Sequence, residues 1–248
     1  MTSKKNKVAL ITGSAKRLGK EIAKAVAECG YDVILHYHTS SISEVNKIKK
    51  EFEKYGVEVY PVKANLSNVK EIKKLFKIIN DKFGRLDLLI NNAAIFRKVD
   101  FFNIDEKVFD EFINTNLKSV LFCSIEAAKI MSKSKKEKLQ IINIASLGGM
   151  LNWVDHIPYS IAKASVIKLT QLMAKRLAPK ILVNAIAPGT IWIDGDDNKN
   201  VIVKEKEKYP MKKFGKAKDI TTLVKFLIKE NEYITGHTFV VDGGRSLK

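Results

Sequence analysis

Thr12-Gly13-Ser14-Ala15-Lys16-Arg17-Leu18-Gly19 stands between a short apolar run, Val8-Ala9-Leu10-Ile11, and a segment from Lys20 to Cys29 in which Ile22, Ala23, Val26 and Ala27 recur at helical spacing. Strand, glycine turn and helix in this order make a phosphate cradle. The glycines let backbone approach a pyrophosphate, and the helix turns its unpaired N–H groups and positive dipole end toward it. The glycine spacing departs from G-x-G-x-x-G, and Arg17 sits inside the turn.

Further along the chain, apolar runs of strand length recur at 33–35, 57–62, 86–90, 139–144, 181–186 and 238–241. Helix-length amphipathic segments lie between them, at 43–55, 69–83, 106–132, 160–177 and 218–229. This alternation predicts an α/β fold, a doubly wound, Rossmann-type parallel sheet with helices on both faces. Ligands of such sheets lie at the carboxyl ends of the strands, so the residues just after each strand carry the chemistry.

A chain of 248 residues fits one such domain spanning 1–248, and no internal repeat or low-complexity linker divides it. The basic start is followed by too short an apolar run for a signal peptide, and no run approaches a membrane span. Cys29 and Cys123 have neither metal-ligand nor disulfide spacing, which points to free thiols in a reducing cytoplasm. The net charge of +17 raises the question of nucleic acid. Lysines alternate with glutamates along 47–54 and 204–208, as on solvated helix faces, and Lys far outnumbers Arg. The charge is read as a field attracting anionic small molecules, with no nucleic-acid or membrane partner. No metal site is expected: 194–198 is acidic but lacks calcium-loop spacing and reads as a loop near the substrate.

The second strand runs into His36-Tyr37-His38-Thr39-Ser40, where an NAD-specific protein usually places an acid for the ribose 2′-OH. No acid is present. Arg17, Ser40 and a donor at His38 suit a 2′-phosphate instead, so NADP(H) is the expected cofactor. His36 is read as a surface residue at the strand end. Asn91-Asn92-Ala93-Ala94 and Ala187-Pro188-Gly189-Thr190 form small turns at the same sheet edge.

The fifth strand ends at Asn143-Ile144-Ala145-Ser146, and Tyr159 and Lys163, four residues apart, share one helix face. An ammonium beside the phenol is expected to lower its pKa and make Tyr159 a proton donor or acceptor near neutrality. Ser146 would hydrogen-bond the substrate oxygen. Asn116 falls in mid-helix, where Asn is disfavoured, and suits a polar relay. A non-catalytic NADP(H) sensor would need no such Ser146, Tyr159 and Lys163 set.

With these pieces in place, the chain resembles the short-chain dehydrogenase/reductase family over its whole length. The matching motifs are the turn at Thr12 to Gly19, Asn91-Asn92-Ala93, Asn116, Ser146, Tyr159 with Lys163, Pro188-Gly189 and Val241-Asp242-Gly243-Gly244. The resemblance implies Tyr159 as general acid, Lys163 lowering its pKa and holding the nicotinamide ribose, Ser146 polarising the substrate and Asn116 supporting a proton relay. It implies cofactor contacts at Gly13, Arg17, Leu18, Gly19, His38, Ser40, Asn65, Leu66, Asn92, Ala93, Pro188 and Gly189, and a homotetramer.

Arg17 in the turn, the Leu35 to Ser40 stretch and the C-terminal run from Tyr233 to Leu247 are most similar to pteridine and dihydromonapterin reductases. In those enzymes the aromatic matching Phe96 stacks the pterin ring. The expected substrate is therefore a pterin or dihydrofolate-like ring, with a ketone or 3-oxoacyl thioester as the alternative. The chain departs from the pteridine pattern at Ser146, where Asp is usual, at Thr39, where Arg is frequent, and at Asn65, where Asp receives the adenine amino group; an Asn carbonyl oxygen accepts the same bond. The stretch 191–213 has the weakest pattern and is expected to cover the substrate. Trp192, His156 and Met150 are further pocket candidates, with packing or surface roles as the alternative.

Overall fold

The computed structural model describes residues 6–134, 138–193 and 205–247. Its main sheet has seven strands: β1 (Lys7–Ile11), β2 (Tyr31–Tyr37), β3 (Val59–Lys63), β4 (Leu88–Asn91), β5 (Leu139–Ile144), β6 (Ile181–Pro188) and β9 (Thr238–Val241). Their order is β3-β2-β1-β4-β5-β6-β9 and every pairing is parallel. Two-residue strands β7 (Ile191–Trp192) and β8 (Gly215–Lys216) pair with each other apart from it.

Side chains of successive strand residues point to opposite faces, and β1 makes the division visible. Ala9 and Ile11 join a core with Ile22 and Val26 of α1 (Arg17–Glu28), Val45 and Phe52 of α2 (Ile42–Glu53), and Val224 and Leu227 of α7 (Ala217–Lys229). Val8 and Leu10 join the opposite core with Ile72 and Phe76 of α3 (Val69–Phe83), Cys123 and Ala127 of α5 (Ser119–Ser132), and Met173 of α6 (Ile157–Leu177). Burial on both faces explains why the strands read as nearly continuous apolar runs.

The element boundaries shift for local reasons. Helix α2 begins at Ile42 because Ser41 and Glu44 form a reciprocal cap, Glu44 N donating to Ser41 Oγ and Ser41 N to Glu44 Oε2. Helix α6 starts at Ile157, three residues earlier than expected, with Pro158 in its first turn, where a missing N–H costs nothing. The segment 106–132, expected as one helix, is interrupted: α4 (Glu106–Ile113) passes through a π-helical stretch, Asn114–Lys118, before α5.

The chain winds outward through β1, β2 and β3, then returns to place β4 on the other side of β1. That reversal opens a crevice at the carboxyl ends of β1 and β4.

Candidate functional site

The glycine turn is locked to the β4 exit by a small set of hydrogen bonds. Thr12 Oγ1 accepts from the N–H groups of Asn92 and Ala93 at 2.9 and 3.0 Å, and Asn92 Nδ2 donates to the carbonyls of Thr12 and Gly13. Space at the turn permits only glycine at two places. A Cβ on Gly13, whose φ is +63°, would lie 3.1 Å from Ala93 Cα. On Gly19 it would lie 2.1 Å from the Gly13 carbonyl oxygen. Arg17, where glycine would relieve the backbone, adopts φ +52° and is exposed.

Beside this turn lies a cavity of about 630 Å³, lined by Gly13, Arg17, Gly19, His38, Ser40, Asn65, Leu66, Asn92 and Ala93 among the expected cofactor contacts. Leu18 does not line the cavity; its side chain packs against the core that α1 covers. Lys16 and Thr39, neither of them among the expected cofactor contacts, also line it, with Lys16 Nζ donating to Thr39 Oγ1 at 3.3 Å. Pro188 and Gly189 lie away from this cavity, at the end of β6, where Gly189 N donates to Val241 O.

His36 corrects the surface reading of the strand end. It is 2% exposed: the ring is inside the fold, Gly13 N donates to its Nδ1 at 2.9 Å, and its Nε2 lies 3.1 Å from Ala64 O. A strand-end position gave no warning of this, because burial here comes from the neighbouring turn and β3. Asn65 Oδ1, expected to receive the adenine amino group, already accepts from Ser67 N and Ser67 Oγ at 3.0 and 2.8 Å.

The cradle fits a dinucleotide. Two glycines packed too closely against neighbouring backbone to carry side chains freely, a helix beginning at its edge and Lys16 and Arg17 in its lining are features that the phosphates of a dinucleotide require.

Ser146, Tyr159 and Lys163 come together as expected at the ends of β5 and α6. All three are buried, and Ser146 lies close enough to Tyr159 to act on its phenol. Ser146 Oγ accepts from Gly148 N at 3.1 Å, which caps a short turn and fixes the side chain. Lys163 Nζ donates to Ile144 O at 2.7 Å and lies 5.8 Å from the centre of the Tyr159 ring. The electrostatics differ from expectation. Burial raises the Tyr159 pKa, with only the Ser146 hydrogen bond opposing it, and burial pulls Lys163 down to about 8. In both groups it is the exclusion of water that disfavours the charged form.

Asn116 lies in the π-helical stretch, fully buried. Its Oδ1 accepts from Ile95 N at 2.8 Å and its Nδ2 donates to Ile95 O at 3.0 Å, so the amide clamps the loop that carries Phe96. Asn91 Nδ2 bridges Ser124 Oγ and Asn143 Oδ1 beneath the site, giving the β4 and β5 ends a shared polar anchor.

Phe96 stands beside Tyr159, edge to face at 4.8 Å, and one of its own faces is covered by His156, stacked at 4.6 Å and 3°. Trp153 completes the wall, nearly parallel to Tyr159 with centroids 6.5 Å apart. It seats on Gly148, where a Cβ would lie 2.5 Å from the indole. Sequence inspection missed Trp153; its signal was an aromatic six residues before the tyrosine, beside the glycine pair 148–149. Met150 is exposed, and Trp192 stacks on Phe214 at 6.4 Å, away from these rings. Of the expected substrate cover, 194–204 lies outside the described residues, as does the acidic stretch 194–198. The flanking part is tied down by Tyr209, whose hydroxyl donates to Thr190 Oγ1 at 2.8 Å.

Among the described residues no helix is long and apolar enough to cross a membrane. A family model described as enoyl-(acyl carrier protein) reductase matches residues 13–246. The 3-oxoacyl-(acyl-carrier-protein) reductase of Synechocystis sp. is 36% identical, the match covering 98% of each chain. FabG, the enzyme of the same name from Staphylococcus epidermidis, is 36% identical over 96% of this chain and 98% of its own. Among solved structures, acetoin dehydrogenase of Enterobacter cloacae superposes with a TM-score of 0.89 at 29% identity, covering 98% of this chain and 97% of that one. A short-chain dehydrogenase/reductase of Serratia marcescens gives 0.89 at 26% identity, covering 97% and 98%. These relatives agree with the 3-oxoacyl thioester alternative better than with the pterin assignment.

Proposed function

The chain belongs to the short-chain dehydrogenase/reductase family, and within this family of nicotinamide-dependent oxidoreductases we propose that it is an NADPH-dependent reductase of 3-oxoacyl thioesters. The observation that carries the substrate class is Ser146. A hydroxyl held by Gly148 N beside the Tyr159 phenol is suited to a neutral carbonyl oxygen, which accepts hydrogen bonds and would be repelled by a carboxylate at this position. The similarity to 3-oxoacyl-(acyl-carrier-protein) reductases along nearly the whole chain supports the same class.

Gly13, Gly19, Asn92 and Ala93 would hold the pyrophosphate side of the cofactor, and Arg17, Lys16, His38 and Ser40 a ribose 2′-phosphate. The acid-free exit of β2 supports NADPH over NADH. When bound, the reduced nicotinamide supplies the hydride for the carbonyl carbon. Tyr159 gives its phenolic proton to the carbonyl oxygen. Its raised pKa keeps it protonated at neutral pH, as an acid in the reductive direction must be. Ser146 orients the same oxygen, and the Lys163 ammonium lies close enough to steady the phenolate left behind. Asn116 acts by fixing Ile95, which holds Phe96 against the tyrosine.

The test compares NADPH consumption with acetoacetyl thioester, dihydrobiopterin and dihydrofolate. Turnover of the thioester alone, or in large excess, is expected. Turnover of only a pterin would overturn the assignment and return Phe96 to the stacking role that its ring first suggested.

A further inference from the structure

We propose that His36 is a positioning residue for cofactor binding, a strut that sets the distance between the glycine turn and the loop leaving β3. The inference rests on the reading of the adjoining cavity as the dinucleotide site.

The ring spans two loops that line this cavity. On one side Gly13 N donates to Nδ1 at 2.9 Å; on the other, Nε2 meets Ala64 O at 3.1 Å, just before Asn65 and Leu66. The main chain of the same residue adds a third tie, its carbonyl accepting from Ser14 N at 2.9 Å and from Ser14 Oγ at 3.3 Å. Because a backbone N–H can only donate, Nδ1 must be the bare nitrogen and Nε2 must carry the hydrogen that Ala64 O accepts. One tautomer alone therefore serves both loops. Burial keeps the ring neutral by lowering its pKa to about 4.

Gly13 has little freedom of its own. Its far side is closed by Ala93, 3.1 Å from where a Cβ would lie, and its partly buried N–H has the buried imidazole as partner. Removing the acceptor leaves that N–H unpaired, and the turn must shift to recover a bond. A shift displaces the backbone N–H groups that face a pyrophosphate, whereas Ser146, just beyond β5, and Tyr159 and Lys163 on α6 are untouched. The residue thus acts on cofactor affinity and not on the chemical step.

The test measures dissociation constants for NADPH and NADH with the full chain carrying His36→Asn, His36→Gln or His36→Leu. Asn keeps an acceptor near the Nδ1 position; Gln keeps only a donor toward Ala64; Leu keeps neither. Gln and Leu are expected to weaken both dinucleotides about tenfold, with kcat at saturating cofactor within about twofold, while Asn stays within about threefold. Folded variants that all bind like the wild type, or an Asn variant as weak as the Leu one, would overturn the strut. If the substitutions prevent folding, the 15N spectrum of the wild-type imidazole decides: a neutral ring protonated at Nε2 supports the proposal, and a ring protonated at Nδ1 overturns it. A wild-type protein that binds neither dinucleotide would instead overturn the cofactor site itself, and the strut with it.

Discussion

The Lys163 ammonium donates to the carbonyl of Ile144 at 2.7 Å, tying α6 to the last residue of β5, two positions before Ser146. This bond brings the serine and the tyrosine-lysine pair, which arrive on separate elements, into one site. It also holds a cation in a water-free place, and burial alone brings its pKa down to about 8. The charge is present below that value and is lost as pH rises through it. The reduction rate is therefore expected to decline on the alkaline side with a midpoint near 8. A pH profile of kcat for Lys163→Arg, whose cation does not titrate there, should lose that limb even if its absolute rate is low.

Tyr159→Phe removes the proton donor and keeps the ring that packs against Phe96 and Trp153. A fall in kcat of about 10²–10⁴-fold is expected, with cofactor affinity and melting temperature nearly unchanged. Steady-state kinetics together with a dinucleotide titration check it; near-normal turnover removes Tyr159 from the proposed role.

Arg17 combines a side chain suited to a phosphate with a backbone suited to glycine, at φ +52°. Arg17→Ala and Arg17→Gly should both erode the preference for NADPH over NADH by about tenfold or more. They should part in stability: Gly takes the left-handed conformation freely, and its variant should be more stable than the Ala variant by about 1 kcal/mol. Denaturant titrations of the two variants measure that difference.

His36 links stability to acid. Its ordinary value is 6.5 and burial brings it to about 4, so between these limits the unfolded chain binds a proton that the folded chain does not. Stability should then fall as pH falls through this window, by about 3 kcal/mol at full effect. Comparing unfolding free energies of wild type and His36→Asn at pH 7 and pH 4.5 isolates the contribution: the variant should lose less on acidification. Equal losses would mean that His36 is not held neutral.

Much of the fold was legible because it depends on local pattern. Apolar runs of strand length alternating with amphipathic segments are enough to require a parallel sheet covered on both faces, and the turn at Thr12 to Gly19 marks the strand end where a phosphate binds. The Tyr159 and Lys163 pairing was equally accessible, since residues four apart share a helix face. The interruption of the long helix at Asn114–Lys118 was only hinted at by Asn116, because a π-helical stretch answers to the Ile95 backbone it must meet.

What the sequence determined by itself, then, is the architecture and the strand ends, carried by short-range spacing, while the family was marked by the motifs the chain shares with it. Tertiary structure alone decided what surrounds each of them. It buried His36 between two cavity-lining loops, packed Leu18 against the core, occupied the Asn65 carbonyl oxygen with Ser67, and stacked His156 on Phe96. It also reversed the expected shift of Tyr159, because a pKa depends on the water removed and the charges brought near, and neither is written in the spacing of residues along the chain.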